Sequence, residues 1–375
     1  MSEQSRKVAP LRGSGWAAWL LAAACASPSA YAALLPDSRT DVQYHAYDGG
    51  GVQVNGPAVL FRKGVRNDFS LAASFYRDQI SGASPDVLAT ASPYSEERNE
   101  YGFGLDYLYG NSIMSAHYLA SSETDYDAKL FSLGVAHDVF GGMTTFKMGF
   151  GRGDDTVGSN TDKSFEESID RFNYTLGISQ VLSRSLLMGV NYETISDKGF
   201  LGSPYRNKRV LGVFAGPEVY PETRTSNAVA LRALKSWTPN ASTLFGYRYF
   251  WDSWDIQAQS WEAGYTNQLQ NGWLVDLYYR YYTQGRASFY SDDFQEELNY
   301  MARDKELSTF VSNALGAKFT YPLFRRTRGV THGTLNFSYE IIDYDYDDYS
   351  DASSGSANPY SFSADSLHLY FSIWY

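Results

Sequence analysis

The sequence predicts an all-β fold, a transmembrane antiparallel up-and-down β-barrel of about 16 strands, with about 14 as the smaller alternative. Three observations predict it. Segments of roughly ten residues with period-two alternation of apolar and polar side chains recur along the whole chain. The connections between them alternate between tight turns and long loops. The closing segment, Leu367 to Tyr375, alternates strictly and ends on an aromatic. Because successive strand side chains point to opposite sides, it shows Leu367, Leu369, Phe371, Ile373 and Tyr375 to one face and His368, Tyr370, Ser372 and Trp374 to the other. One face suits lipid and the other a polar lumen.

The amino end reads as an export signal. Arg6, Lys7 and Arg12 precede the apolar run Trp16 to Ala26, and Ala30-Tyr31-Ala32 follows it, the charged, apolar and small-residue order of a secretory leader. Cleavage is expected after Ala32, leaving residues 33–375 as a single barrel domain. That run is the only sustained apolar stretch, the mean hydropathy is -0.37, and a membrane helix needs about 18 apolar residues. Strands must therefore do the spanning. Cys25, the one cysteine, lies in the segment to be removed, so the mature chain has no disulfide or thiolate chemistry. As a lipid-attachment site Cys25 would follow a leucine by three residues, and here the leucine stands one further back, at Leu21.

Removal of residues 1–32 takes away three basic residues and Glu3, moving the formal charge from -11 to -13. Nucleic acid is thereby excluded as a partner, since its recognition leans on Lys and Arg. Aromatic residues make up 16% of the chain, with 31 tyrosines among them. A soluble core would need buried partners for that many hydroxyls, whereas at a membrane interface each ring lies in the acyl boundary with its polar tip in the headgroups.

In chain order, alternation places strands at 39–47, 52–63, 67–78, 98–109, 112–124, 126–139, 143–153, 170–182, 186–196, 223–235, 242–251, 258–270, 273–285, 308–321, 333–346 and 363–375. The first two are the weakest, because Gly56-Pro57 interrupts the second and proline donates nothing to a ladder. In the seventh, Phe146, Met148 and Phe150 alternate with Lys147, Gly149 and Gly151. In the eighth, Phe172, Tyr174, Leu176 and Ile178 alternate with Arg171, Asn173, Thr175 and Gly177. In the thirteenth, the outward set is Trp273, Val275, Leu277, Tyr279 and Tyr281, and the inward set Leu274, Asp276, Tyr278, Arg280 and Tyr282. The polar face carries charge and glycine, as a wet interior allows.

Tight links are expected at Gly110-Asn111, Gly141-Gly142, Ser183-Arg184, Pro239-Asn240 and Asn271-Gly272, all built from residues that tolerate hairpin backbone angles. Long links fall near 79–97, 154–169, 197–222, 286–307 and 347–362. Short periplasmic turns and long external loops are the barrel convention; both termini then lie in the periplasm and the protein belongs in the outer membrane of a Gram-negative bacterium. A soluble β-sandwich shares the alternation but has shorter strands and fewer outward aromatics. The partners implied are outer-membrane lipids and lipopolysaccharide around the wall, and the barrel-assembly machinery at the closing strand that ends on Tyr375.

Candidate functional residues fall in the lumen and in one loop. If Gln270-Asn271-Gly272 is a three-residue turn with its glycine left-handed, Glu262 lies opposite Arg280, and Arg248, across the loop near Trp254-Asp255, comes close to the same Glu262. Arg248, Glu262 and Arg280 then form a charged row, and a one-residue register error breaks it. The row either selects ions or anionic solutes, as charge rings do in channels, or braces a wall of mixed sign. The other luminal charges are Lys147, Arg171, Arg232 and Lys318 against Asp106, Asp138, Glu193, Asp276 and Glu340.

The loop from Gly199 to Gly216 carries Ser203-Pro204-Tyr205-Arg206 and then Lys208 and Arg209, a basic cluster in an acidic chain. Arginine forks grip carboxylate or phosphate two bonds at a time. This cluster suits an anionic ligand, lipopolysaccharide phosphate or the acidic side of another loop, and the alternative is pairing with carboxylates inside the barrel. Asp343, Asp345, Asp347, Asp348 and Asp351 alternate with Tyr344, Tyr346 and Tyr349. Calcium needs oxygens converging from a curved loop, whereas the first three are strung along one strand face, so solvation is their expected role.

Catalysis has little support. His45, His117, His137, His332 and His368 are scattered without metal-ligand spacing, and no Gly-x-Ser-x-Gly elbow is present. No catalytic residue, metal or cofactor is expected. A Ser-His or Asp-His set meeting at a strand tip would be needed for a hydrolase.

Several strings resemble a known family. They are Asp68 to Ile80 leading into Ser81-Gly82-Ala83-Ser84-Pro85-Asp86-Val87, the run Ser92-Pro93-Tyr94 to Tyr101, and Ser203-Pro204-Tyr205-Arg206 with Arg209-Val210. Arg224 to Arg232, and Tyr247-Arg248-Tyr249 through Asp252-Ser253-Trp254, continue the series in order. Over nearly the whole mature chain this resembles a family of Gram-negative outer-membrane proteins catalogued only as a domain of unknown function. The resemblance implies the barrel and its location, and it brings no substrate or catalytic set.

The expected function is a pore or channel that passes small solutes, with the long loops folded over or into its mouth. The alternative is a plugged barrel that anchors or sheathes a periplasmic or lipoprotein partner. An outer-membrane hydrolase stands third.

Overall fold

The alternation is realised as long strands closed on themselves. The computed structural model describes residues 33–82, 94–327, 330–352 and 358–375; the leader expected over residues 1–32 and most of the link near 79–97 lie outside them. The strands are β1 (Arg39–Gly49), β2 (Val52–Val65), β3 (Phe69–Gly82), β4 (Tyr94–Tyr109), β5 (Ser112–Ser122), β6 (Tyr126–Val139), β7 (Thr144–Gly158), β8 (Glu166–Ser183) and β9 (Leu186–Gly199). Then follow β10 (Asn207–Val210), β11 (Val213–Pro217), β12 (Thr223–Thr238), β13 (Ala241–Asp252), β14 (Gln257–Gln268), β15 (Leu274–Gln284), β16 (Phe310–Thr327), β17 (Val330–Ser350) and β18 (Pro359–Trp374). Sixteen of them form a closed antiparallel barrel, and β10 and β11 make a separate hairpin within the connection from β9 to β12.

Closure is made by β1, which pairs with both β2 and β18, running from Arg39 opposite Trp374 to Gly49 opposite Ala364. Every barrel strand then has two neighbours, which satisfies backbone groups that lipid cannot. The strand doubted on sequence grounds is continuous. At Gly56 the carbonyl of Arg77 comes so close that an added Cβ would collide with it. The ladder to β3 lapses at Gly56 and Pro57 while that to β1 runs through, so the missing proline donor disturbs one side only.

The outward faces form an apolar belt. Phe146, Met148 and Phe150 stand beside Ile178, Leu176 and Tyr174, all exposed, and on the closing strands Leu335 and Phe337 stand beside Phe371 and Leu369. Aromatics edge the belt: Tyr109, Phe140 and Trp237 near the short turns, and Phe75 against Tyr101, ring centroids 5.3 Å apart, toward the long loops. Past that edge the same faces turn polar. Arg152 lies over the Phe172 ring at 5.5 Å and within 4.0 Å of Asp154 and Asp170, Arg77 pairs with Glu97, and Asp343 follows Ile341 on β17 with Asp345 and Asp347 beyond it.

The strands therefore overhang the belt at the loop end, reaching 21 residues in β17 where about 9–11 suffice to cross a bilayer. Several run further than alternation alone indicates, among them β7 to Gly158 and β8 from Glu166. Beyond the lipid both faces are polar, so the period-two signal fades while the backbone ladder continues. Inside this overhang the rings of Tyr344, Tyr346, Tyr349, Tyr360 and Phe362 pack against one another, and the aspartates of the same segment at 343, 345 and 347 face away from them.

Candidate functional site

Turn chemistry sets the register of the predicted charged row. Gly272 has φ +88°, the left-handed angle that glycine takes without a steric cost, and Leu269 and Trp273 close the turn with a 2.8 Å backbone hydrogen bond. Glu262 is opposite Arg280 as a result. Arg248, by contrast, is opposite Ser260, and Gly246 takes the position across from Glu262.

Both arginines turn away from Glu262. Arg280 donates to Glu340 at 3.2 Å across β16, where it passes Ala314 and Gly316. Arg248 reaches Glu193 at 3.9 Å across β12, past Ala228 and Ala230. Strands lie about 4.8 Å apart, so an arginine can bridge two of them where the strand between carries only small side chains. Among the described residues Glu262 makes no ion pair within 4.0 Å. The three residues thus share one wall of the lumen without forming a single ion-paired triad.

The rest of the wall is paired in the same short-range way. Arg62 meets Asp106 at 2.9 Å, Arg171 meets Asp197 at 2.6 Å and Asp155 at 3.8 Å, and Lys318 meets Asp276 at 3.9 Å. Where the closing strands meet, His45 lies opposite His368. His45 Nε2 is 2.7 Å from Asp78 Oδ1, Arg98 holds the other oxygen of Asp78, and His45 stacks on Tyr76 at 4.5 Å. Ser366 Oγ is 3.3 Å from His368 Nε2, but the other ring nitrogen of His368 meets the Gln43 amide at 2.8 Å. Neither histidine joins a hydroxyl to a carboxylate, and Ser366 is 6% exposed and set within the wall rather than at a strand tip. Scattered spacing hid this cluster; pairing the first strand with the last, as closure demands, would have revealed it.

At the loop end the mouth is crossed by two segments, residues 200–222 and 285–309. They pair through Val219 with Met301 and Val210 with Phe294. Trp254, Ile256, Phe289, Tyr290 and Leu307 make a buried apolar cluster there, with Leu201, Tyr220 and Phe250 packed against it; Trp254 meets Phe289 edge-on at 5.1 Å. Each large side chain so buried contributes roughly 1.5–3 kcal/mol.

The basic loop fastens this cap. Arg206 pairs with Asp304, Lys208 with Glu297 at 2.9 Å, and the Arg209 carbonyl accepts from the Phe294 amide at 2.9 Å. The Tyr205 hydroxyl donates to Asp125 in the β5–β6 turn and accepts from the Asn160 amide at 2.6 Å. Burial, reinforced by that carboxylate, pushes the Tyr205 hydroxyl up from its usual pKa. On the far side Arg303, 4% exposed, pairs with Asp292 at 2.7 Å, donates to the Ser350 carbonyl at 2.6 Å and covers the Tyr349 ring at 4.7 Å.

From β6 to β17 the ring counts seven strands one way and nine the other. Asp125 and Ser350 therefore stand nearly opposite, and the cap spans the mouth between them. The acidic side of another loop is what meets Arg206 and Lys208. At the short-turn end, a recess of about 500 Å³ opens among Leu274, Thr320, Phe324, His332 and Thr334.

A family model described as "Protein of unknown function (DUF3570)" matches residues 166–371, from the start of β8 into the closing strand. No curated protein matches the chain. Among solved structures it is similar to a "Bacterial polysaccharide outer membrane secretin", with TM-score 0.51 at 8% identity over 90% of this chain and 99% of that one. It is also similar to "CdiB from Acinetobacter baumannii", with TM-score 0.50 at 7% identity over 90% of this chain and 60% of that one. A third is Pseudomonas aeruginosa OccK2 (OpdF) in complex with glucuronate, with TM-score 0.45 at 10% identity over 91% of this chain and 99% of that one. At such identities the likeness is one of fold, that of the β-barrels of Gram-negative outer membranes.

Proposed function

The chain belongs to the DUF3570 family, proteins of unknown function, and from that premise we propose an outer-membrane channel for small polar solutes whose external mouth is held shut by a two-loop cap. The observation that carries this reading is the inner wall of a 16-strand barrel lined by short-range ion pairs of both signs. A barrel of about this size leaves an aqueous channel when nothing fills it, and charges in a wet lumen keep the hydration that a packed core would deny them. Arg248, Glu262 and Arg280 are assigned to ion preference, and Arg206, Lys208 and the Tyr205 hydroxyl to holding the cap.

In this reading the apolar belt meets outer-membrane lipids and lipopolysaccharide, the short turns face the periplasm, and the strand ending at Tyr375 is the one the barrel-assembly machinery engages. Planar-bilayer recording tests the channel. Wild type should conduct weakly or in brief openings, and Arg206→Ala with Arg303→Ala should conduct steadily. Silence from both proteins, in a correctly folded barrel, overturns it. The second reading, a structural barrel that anchors a periplasmic or lipoprotein partner, is favoured by the apolar cluster that crosses the mouth; silence together with a stoichiometric co-purifying protein would support it.

A further inference from the structure

Where the β5–β6 turn meets the overhang of β4, three carboxylates converge. Glu96 lies on the inward face of β4, Glu123 and Asp125 lie in the turn, and each offers an oxygen such that the three atoms lie within 4.8 Å of one another. They come from two separate stretches of chain brought together by the barrel, unlike the aspartates strung along β17.

The convergence has a second mark. Glu96 is 8% exposed, and its Oε1 accepts from the Thr124 amide at 3.1 Å, while its buried Oε2 has no hydrogen-bond partner among the described residues. A buried carboxylate oxygen without a donor is costly, and a cation is the ligand that would relieve it. Among the described residues the Arg98 guanidinium makes its ion pair with Asp78 and none with Glu96. Three carboxyl groups thus share a recess beside Arg98, whose charge acts on Glu123 while its hydrogen bond goes to Asp78.

From this geometry we propose that Glu96, Glu123 and Asp125 bind a divalent cation of calcium size on the inner side of the external rim. The ligand set favours calcium, which takes several carboxylate oxygens in flexible geometry, over magnesium, which demands a near-ideal octahedron and keeps most of its waters. Oxygen ligands of this kind exclude soft metals. Asp125 also accepts the Tyr205 hydroxyl and the Asn160 side-chain amide, the latter at 3.5 Å, so the ion would brace the turn on which the cap is anchored. The site holds whether or not the lumen conducts, and its test is independent of conductance.

The test uses the full mature chain refolded in detergent and stripped with chelator, with terbium as the probe and calcium as competitor. Tyr205 touches a ligand, so tyrosine-sensitised terbium emission should saturate at one ion per chain and be displaced by calcium in preference to magnesium. Glu96→Gln and Glu123→Gln should each weaken terbium binding by about tenfold or more, whereas Asp343→Asn with Asp345→Asn, which removes outward aspartates, should leave it unchanged. Heat-modifiable gel mobility establishes that each variant is a folded barrel. For wild type alone, calcium should slow hydrogen exchange at residues 123–126. Equal terbium affinity in the glutamate variants, an equal loss in the β17 control, or wild-type exchange indifferent to calcium would each overturn the site.

Discussion

The Tyr205 hydroxyl donates to the Asp125 carboxylate, joining a loop that leaves the barrel after Gly199 to a turn on the far side of β7 and β8. One contact therefore ties the cap to a strand pair with which its own chain has no ladder. A hydrogen bond to a charged acceptor contributes about 1.5–3 kcal/mol. Tyr205→Phe should loosen residues 200–222 while leaving the barrel intact, read as faster limited proteolysis in that loop with unchanged heat-modifiable mobility.

Arg303 is the opposite anchor, and it is buried. Removing one partner of a buried pair strands the other and costs about 3–5 kcal/mol, so Arg303→Ala should destabilise the cap more than Tyr205→Phe does. Bilayer recording should show a larger rise in open time for Arg303→Ala. Equal effects would mean that the contacts with Asp292 and the Ser350 carbonyl add little.

Arg248 and Arg280 each neutralise a carboxylate on a strand two away. Replacing both with glutamine leaves Glu193, Glu262 and Glu340 in excess on that wall. Reversal potentials under a potassium chloride gradient should shift toward cations, while Glu262→Gln should shift them toward anions.

Leu176 and Leu335 stand in the apolar belt, 51% and 40% exposed. Arginine near the bilayer midplane of a barrel costs about 2–4 kcal/mol. Leu176→Arg should lower the urea midpoint for unfolding from lipid vesicles by an amount of that order, and Asp343→Arg, beyond the belt, should not.

Glu123 is pushed up from the usual 4.5 to about 7, chiefly by burial, against the pull of Arg98 and with smaller pushes from Glu96 and Asp125. A raised carboxyl stabilises the fold as the protonated form. Its contribution is complete below about 4.5 and is lost as pH rises through about 7. In chelator, hydrogen-exchange protection at residues 123–126, corrected for the intrinsic pH dependence of exchange, should therefore fall between those values. Glu123→Gln should flatten the profile.

Much of this was legible in the residues. Alternation marked the belt because lipid enforces one apolar face per strand, as in Phe146, Met148 and Phe150. Asn271-Gly272 set the pairing of Glu262 with Arg280, since a turn specifies its own register. Arg248 lies opposite Ser260 rather than beside Glu262, because loop length does not say how a turn such as Ser253 to Ile256 is closed. The strands outrun their alternation where both faces are polar.

Composition, periodicity and turn chemistry determined the closed cylinder, its strand number and which side chains face inward, because those follow from local geometry and the solvent on each face. The partner each charge takes was left to the tertiary structure. Arg280 bypasses Glu262 for Glu340 across a strand that offers only alanine and glycine, Arg206 finds Asp304 almost a hundred residues on, and Glu96 meets Asp125 only where the wall curves round. Such pairings are set by through-space distance and by the cost of stranding a charge, and sequence separation encodes neither.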